Sequence, residues 1–276
     1  MTNFLNVDGG TIAYDVSGEG PLVVLAHGMG DSRAAYRFVV PALVAAGYRV
    51  AAMDLRGHGE SSVGWASYTR TDIAGDLIAV VKHLGGPAVL VGHSIAGGAV
   101  TIAAAKAPEL VTALVELGSF TRKQQIKLGD LRVAGYRRSA THLMATTMLG
   151  STGQWAKYLD GAYPGVKPAD FTTRLEQITA MLREPGRMKV LQKMGTISPA
   201  DAGEQLGNVT RPTLIVQGSL DPDWVSPKAE GEAIVAALPP GVGRLEMIDG
   251  AGHYPHVQFP EQTLAVVLPF LADVRA

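Results

Sequence analysis

Apolar residues in this chain gather in short unbroken runs instead of alternating with polar ones. "PLVVLAHG" (Pro21–Gly28), "YRVAAMDLRGHG" (Tyr48–Gly59), "PAVLVGHS" (Pro87–Ser94) and "VTALVELGS" (Val111–Ser119) all follow this theme. Between them lie stretches with helical spacing, Ala34–Ala46, Asp72–Leu84 and Ile95–Ala107. Strands without polar alternation are buried on both faces, and strands separated by helices imply a parallel sheet. Ahead of them, "FLNVDGGTIAYDVSG" predicts an antiparallel hairpin turning at Asp8–Gly10.

The strand signal stops from about Thr121 to Asn208. Methionines, arginines and tyrosines on helical spacing replace it, broken by "GSTG", "YPGVKP" and "EPG". It then resumes with "RPTLIVQGSLD" (Arg211–Asp221), a helix near Pro227–Leu238, "GRLEMIDGAGH" (Gly243–His253) and a closing helix from Pro260. The predicted class is α/β. Residues 1–120 and 209–276 form one core, a mostly parallel sheet with helices on both faces, and residues 121–208 form a helical insertion in it.

Composition narrows the function classes. The 276 residues are 47% apolar and 18% charged, with a formal net charge of −1, which suits a packed globular chain. No basic run marks either half, so nucleic acid and anionic membrane are poor partners. Cysteine is absent, which excludes disulfides and thiolate chemistry. No apolar run reaches the roughly 18–20 residues of a membrane span. The opening "MTNFLNVDGGTIAYDVSG" lacks a basic segment followed by an apolar one, so a cytoplasmic location is expected. Oligomeric state is not legible.

Candidate chemistry centres on "VGHSIAGG" (Val91–Gly98). If "AVLVG" is a strand and "IAGGAVTIAAAKA" a helix, Ser94 sits at the join with no loop between. Such a turn forces the serine to positive φ and requires small neighbours, here Gly92 and Ala96. The hydroxyl is then lifted above the sheet, and the N–H of Ile95 lies at a helix N-terminus. An N-cap serine is the structural alternative.

A serine nucleophile requires a base and an orienting acid. "DGAGHYPHVQFPE" offers His253 after the last strand, with His256 as competitor; "SLDPDW" offers Asp221 and Asp223. His253 is preferred because it follows flexible Gly252. Asp221 is preferred because Pro222 biases it to an extended conformation, with Asp223 read as a turn residue. "LAHGMGDS" brings glycines after the first parallel strand, with the N–H of Met29 as a second oxyanion donor beside Ile95. His27 and Gly28 in that loop, and His93 beside Ser94, are candidate substrate contacts, although His27 also reads as a brace. Arg56 and His58 of "DLRGHGESS" read as loop braces. No HExxH-like spacing occurs, so neither a metal nor a cofactor is expected.

"HGMGDS", "DLRGHGESS", "GHSIAGG", "GSLDPDW" and "GAGHYPH" together resemble the α/β-hydrolase fold, in its esterase and lipase-like branch with a helical cap. Ala96 departs from the usual second glycine. The resemblance implies a triad of Ser94, His253 and Asp221 acting through an acyl-enzyme on a small ester-like substrate. Carbon–carbon bond hydrolases, lactonases, perhydrolases and ligand receptors share the framework. Methionines of the insertion, Met144 and Met148 among them, suggest an apolar roof that favours uncharged acyl groups. Activity is expected to rise with pH as the base histidine titrates near its ordinary pKa of about 6.5.

Overall fold

The computed structural model describes residues 1–124 and 127–274; Gln125 and Ile126 of the predicted insertion lie outside them, as do Arg275 and Ala276. β1 (Asn3–Val7) and β2 (Gly10–Ser17) form the antiparallel hairpin, with Val7 paired to Gly10. β3 (Leu22–Ala26) is followed by a 3₁₀ turn at Arg33–Tyr36 and then α1 (Val39–Ala45). The sequence suggests one helix over this stretch. Pro41 favours the split, since proline fits best in a helix's first turn, where its missing N–H would be unpaired anyway.

β4 (Arg49–Met53) leads to α2 (Arg70–His83). This helix begins two residues earlier than its apolar spacing suggests, because Thr69 and Asp72 close a capping box. β5 (Ala88–His93) runs directly into α3 (Ile95–Lys106), and β6 (Val111–Leu117) follows. The stretch up to the next strand holds α4 (Ala134–Leu149), α5 (Thr152–Ala162), α6 (Phe171–Arg183), α7 (Arg187–Gly195) and short α8 (Ala200–Gly203). β7 (Thr213–Gly218), α9 (Pro227–Ala237), β8 (Gly243–Ile248), α10 (Pro255–Gln258) and α11 (Pro260–Asp273) complete the chain.

The eight strands lie in the order β1-β2-β4-β3-β5-β6-β7-β8, and all pairs from β4 onward are parallel. Side chains on one strand feed opposite cores. In β3, Leu22, Val24 and Ala26 pack with α2, α3 and α9, whereas Val23 and Leu25 pack with α1 and α11. Two apolar faces leave no room for polar alternation, which is why the runs are continuous. A third cluster, including Trp155, Leu159, Leu182 and Leu191, knits α5, α6 and α7 together. Among the described residues no helix is long and apolar enough to cross a membrane.

The topology sets the site. β4 lies on one side of β3 and β5 on the other, so the chain reverses direction across the sheet there. Loops leaving β3 and β5 diverge at such a switch point and open a crevice at the strands' carboxyl ends. Ala26 pairs with Gly92, so the Met29 and Ser94 loops emerge side by side.

Candidate active site

Ser94 joins β5 to α3 with φ 54° and ψ −118°, and among the described residues it is the one non-glycine residue at positive φ. Neighbouring backbone holds this strained turn: Ser94 N–H donates to Leu117 O at 3.0 Å, and Ser94 O accepts from Gly97 and Phe120 N–H, both at 3.0 Å. Crowding explains the glycines. A Cβ at Gly92 would lie 2.3 Å from Ala96 O, and one at Gly97 2.2 Å from the Ser119 Cβ. One at Gly28 would reach Ser94 Cβ at 3.1 Å, so only glycine lets the β3 loop pass this close to the serine.

Ser94 opens onto a cavity of about 260 Å³ whose wall includes Met29, Ile95, Phe120, Leu143 and Met194. Ile95 is the first residue of α3, so its N–H has no carbonyl one turn earlier to bond. The structure thus brings Ser94, Met29 and Ile95 to one space.

His253 and Asp221 lie together on the loops after β8 and β7. His253 Nδ1 donates to Asp221 Oδ2 at 2.8 Å, and both groups are buried. Asp221 Oδ1 accepts from Asp223 N–H at 3.0 Å, a local turn that fixes the carboxylate. Asp223 is more than the turn residue its position suggests: its Oδ2 stands 3.4 Å from the same His253 Nδ1. Ser139 of α4 donates to Asp223 Oδ1, and Tyr158 of α5 donates to Oδ2 at 2.6 Å. Burial alone would depress the His253 pKa, but the charges of Asp221 and Asp223, with the hydrogen bond to Asp221, raise it to about 9. Burial dominates Asp223 and raises its pKa, against the lowering influence of His253.

Ligand atoms of Asp221, Asp223 and His253 lie within 4.8 Å of one another, a spacing a cation could bridge. Each is already committed by hydrogen bonds: Asp221 and His253 to each other, Asp223 to Ser139 and Tyr158. This donor set therefore fits an oriented imidazole better than a metal.

Four candidate contacts sit elsewhere. His27 is fully buried; its Nδ1 donates to Gly28 O at 2.7 Å and its Nε2 accepts from Leu55 N–H at 3.0 Å, which ties the β3 and β4 loops together. His93 is also fully buried, below the serine, and its Nε2 donates to the His253 carbonyl at 2.9 Å. Met144 and Met148 are 58% and 72% exposed. Tyr136, Ser139, Leu143 and Thr146 take the inward face of α4, so helical phase turns these two methionines outward.

The braces hold as well. Arg56 makes a bidentate pair with Asp76, at 2.7 and 2.8 Å, and His58 Nε2 accepts from Gly30 N–H at 2.9 Å. His256 packs 5.0 Å from Tyr36 and 4.9 Å from His93, and burial lowers its pKa to about 3.

A model of the alpha/beta hydrolase fold family matches residues 21–260. The chain belongs to the alpha/beta hydrolase fold family. Among relatives of this alpha/beta hydrolase-fold chain is the 2-(acetamidomethylene)succinate hydrolase of Mesorhizobium japonicum, 28% identical across 96% of this chain and 94% of that protein. The karrikin insensitive 2 receptor IA of Petunia hybrida is 28% identical over 93% of both. In fold, the chain resembles an esterase from Exiguobacterium antarcticum with a TM-score of 0.82 over the whole of both chains, at 20% identity. The family thus holds both hydrolases and a receptor at similar distance.

Proposed function

We propose that this chain is a serine hydrolase of a carboxylic ester or related carbonyl compound, working through an acyl-enzyme. Ser94 is the nucleophile, His253 the general base and then acid, and Asp221 the group that orients it. Backbone N–H groups of Met29 and Ile95 receive the oxyanion. The observation that carries this reading is the strained Ser94 turn, φ 54°, opening onto the cavity that Met29 and Ile95 also line. Backbone strain at a non-glycine residue persists where the surroundings over-determine it, and such strain clusters at working sites.

In this reading the Ser94 hydroxyl gives its proton to His253 as it attacks the carbonyl carbon. Charge grows on the former carbonyl oxygen, where the donors at a helix N-terminus meet it. His253 then protonates the leaving alcohol, and water repeats the sequence in reverse to free the acid. A serine at this turn, where epoxide hydrolases carry aspartate, favours an acyl-enzyme over epoxide opening. The Mesorhizobium relative, named for hydrolysis of a substituted succinate, supports carbonyl chemistry in this branch. Kinship with a receptor keeps a second outcome, single-turnover acylation that stalls.

Fluorophosphonate labelling tests the nucleophile: one label on Ser94 is expected, with none on Ser94→Ala. Ester turnover by that variant should fall by about 10⁴–10⁶. Labelling at another serine in Ser94→Ala would overturn the assignment. A burst without steady turnover on short 4-nitrophenyl esters would favour the receptor outcome.

A further inference from the structure

The Ser94 cavity has one basic pole, made by Arg70 and Lys123. Arg70 opens α2 and is only 4% exposed. Its Nε donates to Phe120 O at 3.0 Å and Nη1 to Ile197 O at 3.4 Å. Among the described residues no carboxylate lies within 4.0 Å of it. Its Nη2 has no hydrogen-bond partner there, yet is not sealed from open space.

Half-buried Arg49 and Arg211 also bond only carbonyls, but three other sheltered arginines carry carboxylate partners. Arg56 pairs with Asp76, Arg174 with Asp31, and Arg33 with Asp15, Asp54 and Glu60. An unpaired guanidinium removed from water is costly unless something anionic completes it. Burial lowers the Arg70 pKa to about 10 against the raising charge of Asp201, which leaves it charged at neutral pH.

The fold makes room for this side chain. A Cβ on Gly98 of α3 would lie 2.6 Å from Arg70 Cδ, so the second glycine of "AGG" is the slot through which the arginine reaches the cavity. Of the acids near the cavity, Asp223 is committed to Ser139, Tyr158 and His253, and Asp201, which bonds the Thr71 N–H and hydroxyl, reaches Arg70 only by its charge from beyond ion-pair distance. Lys123 adds an exposed ammonium at the rim, with no carboxylate partner among the described residues.

We propose that Arg70 and Lys123 form a carboxylate-binding subsite, so that the preferred substrate is a short acyl compound carrying a free carboxylate beyond its reacting carbonyl. The proposal rests on Ser94 as nucleophile. It reverses, for this end of the cavity, the preference for uncharged groups that the methionines of the insertion suggest. A guanidinium in a sheltered site binds carboxylate through short charge-assisted hydrogen bonds. The volume of about 260 Å³, below the usual range of about 300–1,000 Å³ for ligand pockets, suits a short chain.

The test compares 4-nitrophenyl hemisuccinate with the neutral 4-nitrophenyl valerate, of nearly the same size. Wild type should favour the hemisuccinate in kcat/KM by about tenfold or more, mainly through KM. Arg70→Gln should erase most of that ratio. Lys123→Gln, at an exposed position where folding is not at stake, should lower it severalfold. A wild-type preference for valerate, or a ratio that neither substitution changes, overturns the subsite. If fluorophosphonate fails to label Ser94 and neither ester turns over, the nucleophile reading falls instead. Calorimetry with glutarate then decides the subsite: binding weakened by Lys123→Gln supports it, and no binding at millimolar glutarate overturns it.

Discussion

At the residue scale, His253 faces two carboxylates through one nitrogen, with Asp221 at 2.8 Å and Asp223 at 3.4 Å. Only the nearer has the geometry of a hydrogen bond, so the roles separate: Asp221 orients the ring and Asp223 adds charge. Asp221→Asn should lower kcat by about 10⁴, the loss expected when a triad histidine is held in the wrong tautomer. Asp223→Asn should cost much less. The pH profile follows from the same pair. In the proposed mechanism His253 must be neutral to accept the serine proton, and its pKa is raised to about 9, so kcat/KM should rise with pH along a limb centred well above 6.5. Removing the Asp223 charge should move that limb to lower pH. A limb at 6.5 in both proteins would show that Asp223 has no electrostatic hold on the ring.

At the element scale, the contact between α3 and β6 sets how the serine turn is supported. Glycine is demanded at 92 and 97 by backbone and Ser119 contacts, whereas Ala96 fits fully buried, so the departure from the usual second glycine carries no steric penalty. Behind this contact lies Glu116, fully buried, accepting from Thr101 Oγ1 at 2.5 Å and Ser119 Oγ at 2.7 Å. Burial raises its pKa to about 7, outweighing the lowering by those hydroxyls. The folded state therefore holds this proton at pH values where the unfolded chain, near 4.5, has lost it. The resulting stability is fully present below about 4.5 and fades as pH rises through about 7. Glu116→Gln should flatten that decline, a difference on the order of 3 kcal/mol at pH 8. Urea melts of both proteins at pH 5 and pH 8 would measure it; parallel losses would show that another group is responsible.

At the scale of the whole molecule, helices between β6 and β7 hold the loops that carry Asp223 and His253. Ala162 O at the end of α5 accepts from His253 N–H at 2.9 Å, and Asp223 is held by α4 and α5. Gln258 accepts from Gly252 N–H and donates to Pro164 O and Val166 O. Arg174 reaches Asp31 and Ser32, and Arg37 reaches Asp170, which ties the same stretch between β6 and β7 to the β3 loop. A Cβ at Gly252 would lie 2.2 Å from Ala162 O, so only glycine lets the histidine loop pack this closely against the end of α5. Gly252→Ala should leave the circular dichroism spectrum intact while lowering kcat by about 10–100-fold, because a displacement of about 1 Å in a catalytic group has that scale of effect. Unchanged turnover would mean that the insertion does not position His253.

Much of this was legible from the chain alone. Unbroken apolar runs separated by helical spacing implied a doubly covered parallel sheet, because local burial on two faces writes itself into consecutive residues. Glycines around Ser94 implied a crowded turn for the same reason: close approach within a few residues leaves a local mark. The exit of the Asp221 and His253 loops from strand ends also followed from their place just after apolar runs. Tertiary structure decided the rest. The second carboxylate on His253, the outward phase of Met144 and Met148, and the burial of His27 and His93 below the site all depend on residues distant in sequence. So does Arg70, whose place in the cavity exists only because α2, α3 and the helices between β6 and β7 meet there; the lack of an ion-pair partner is a property of three-dimensional neighbours, and no spacing along the chain encodes it.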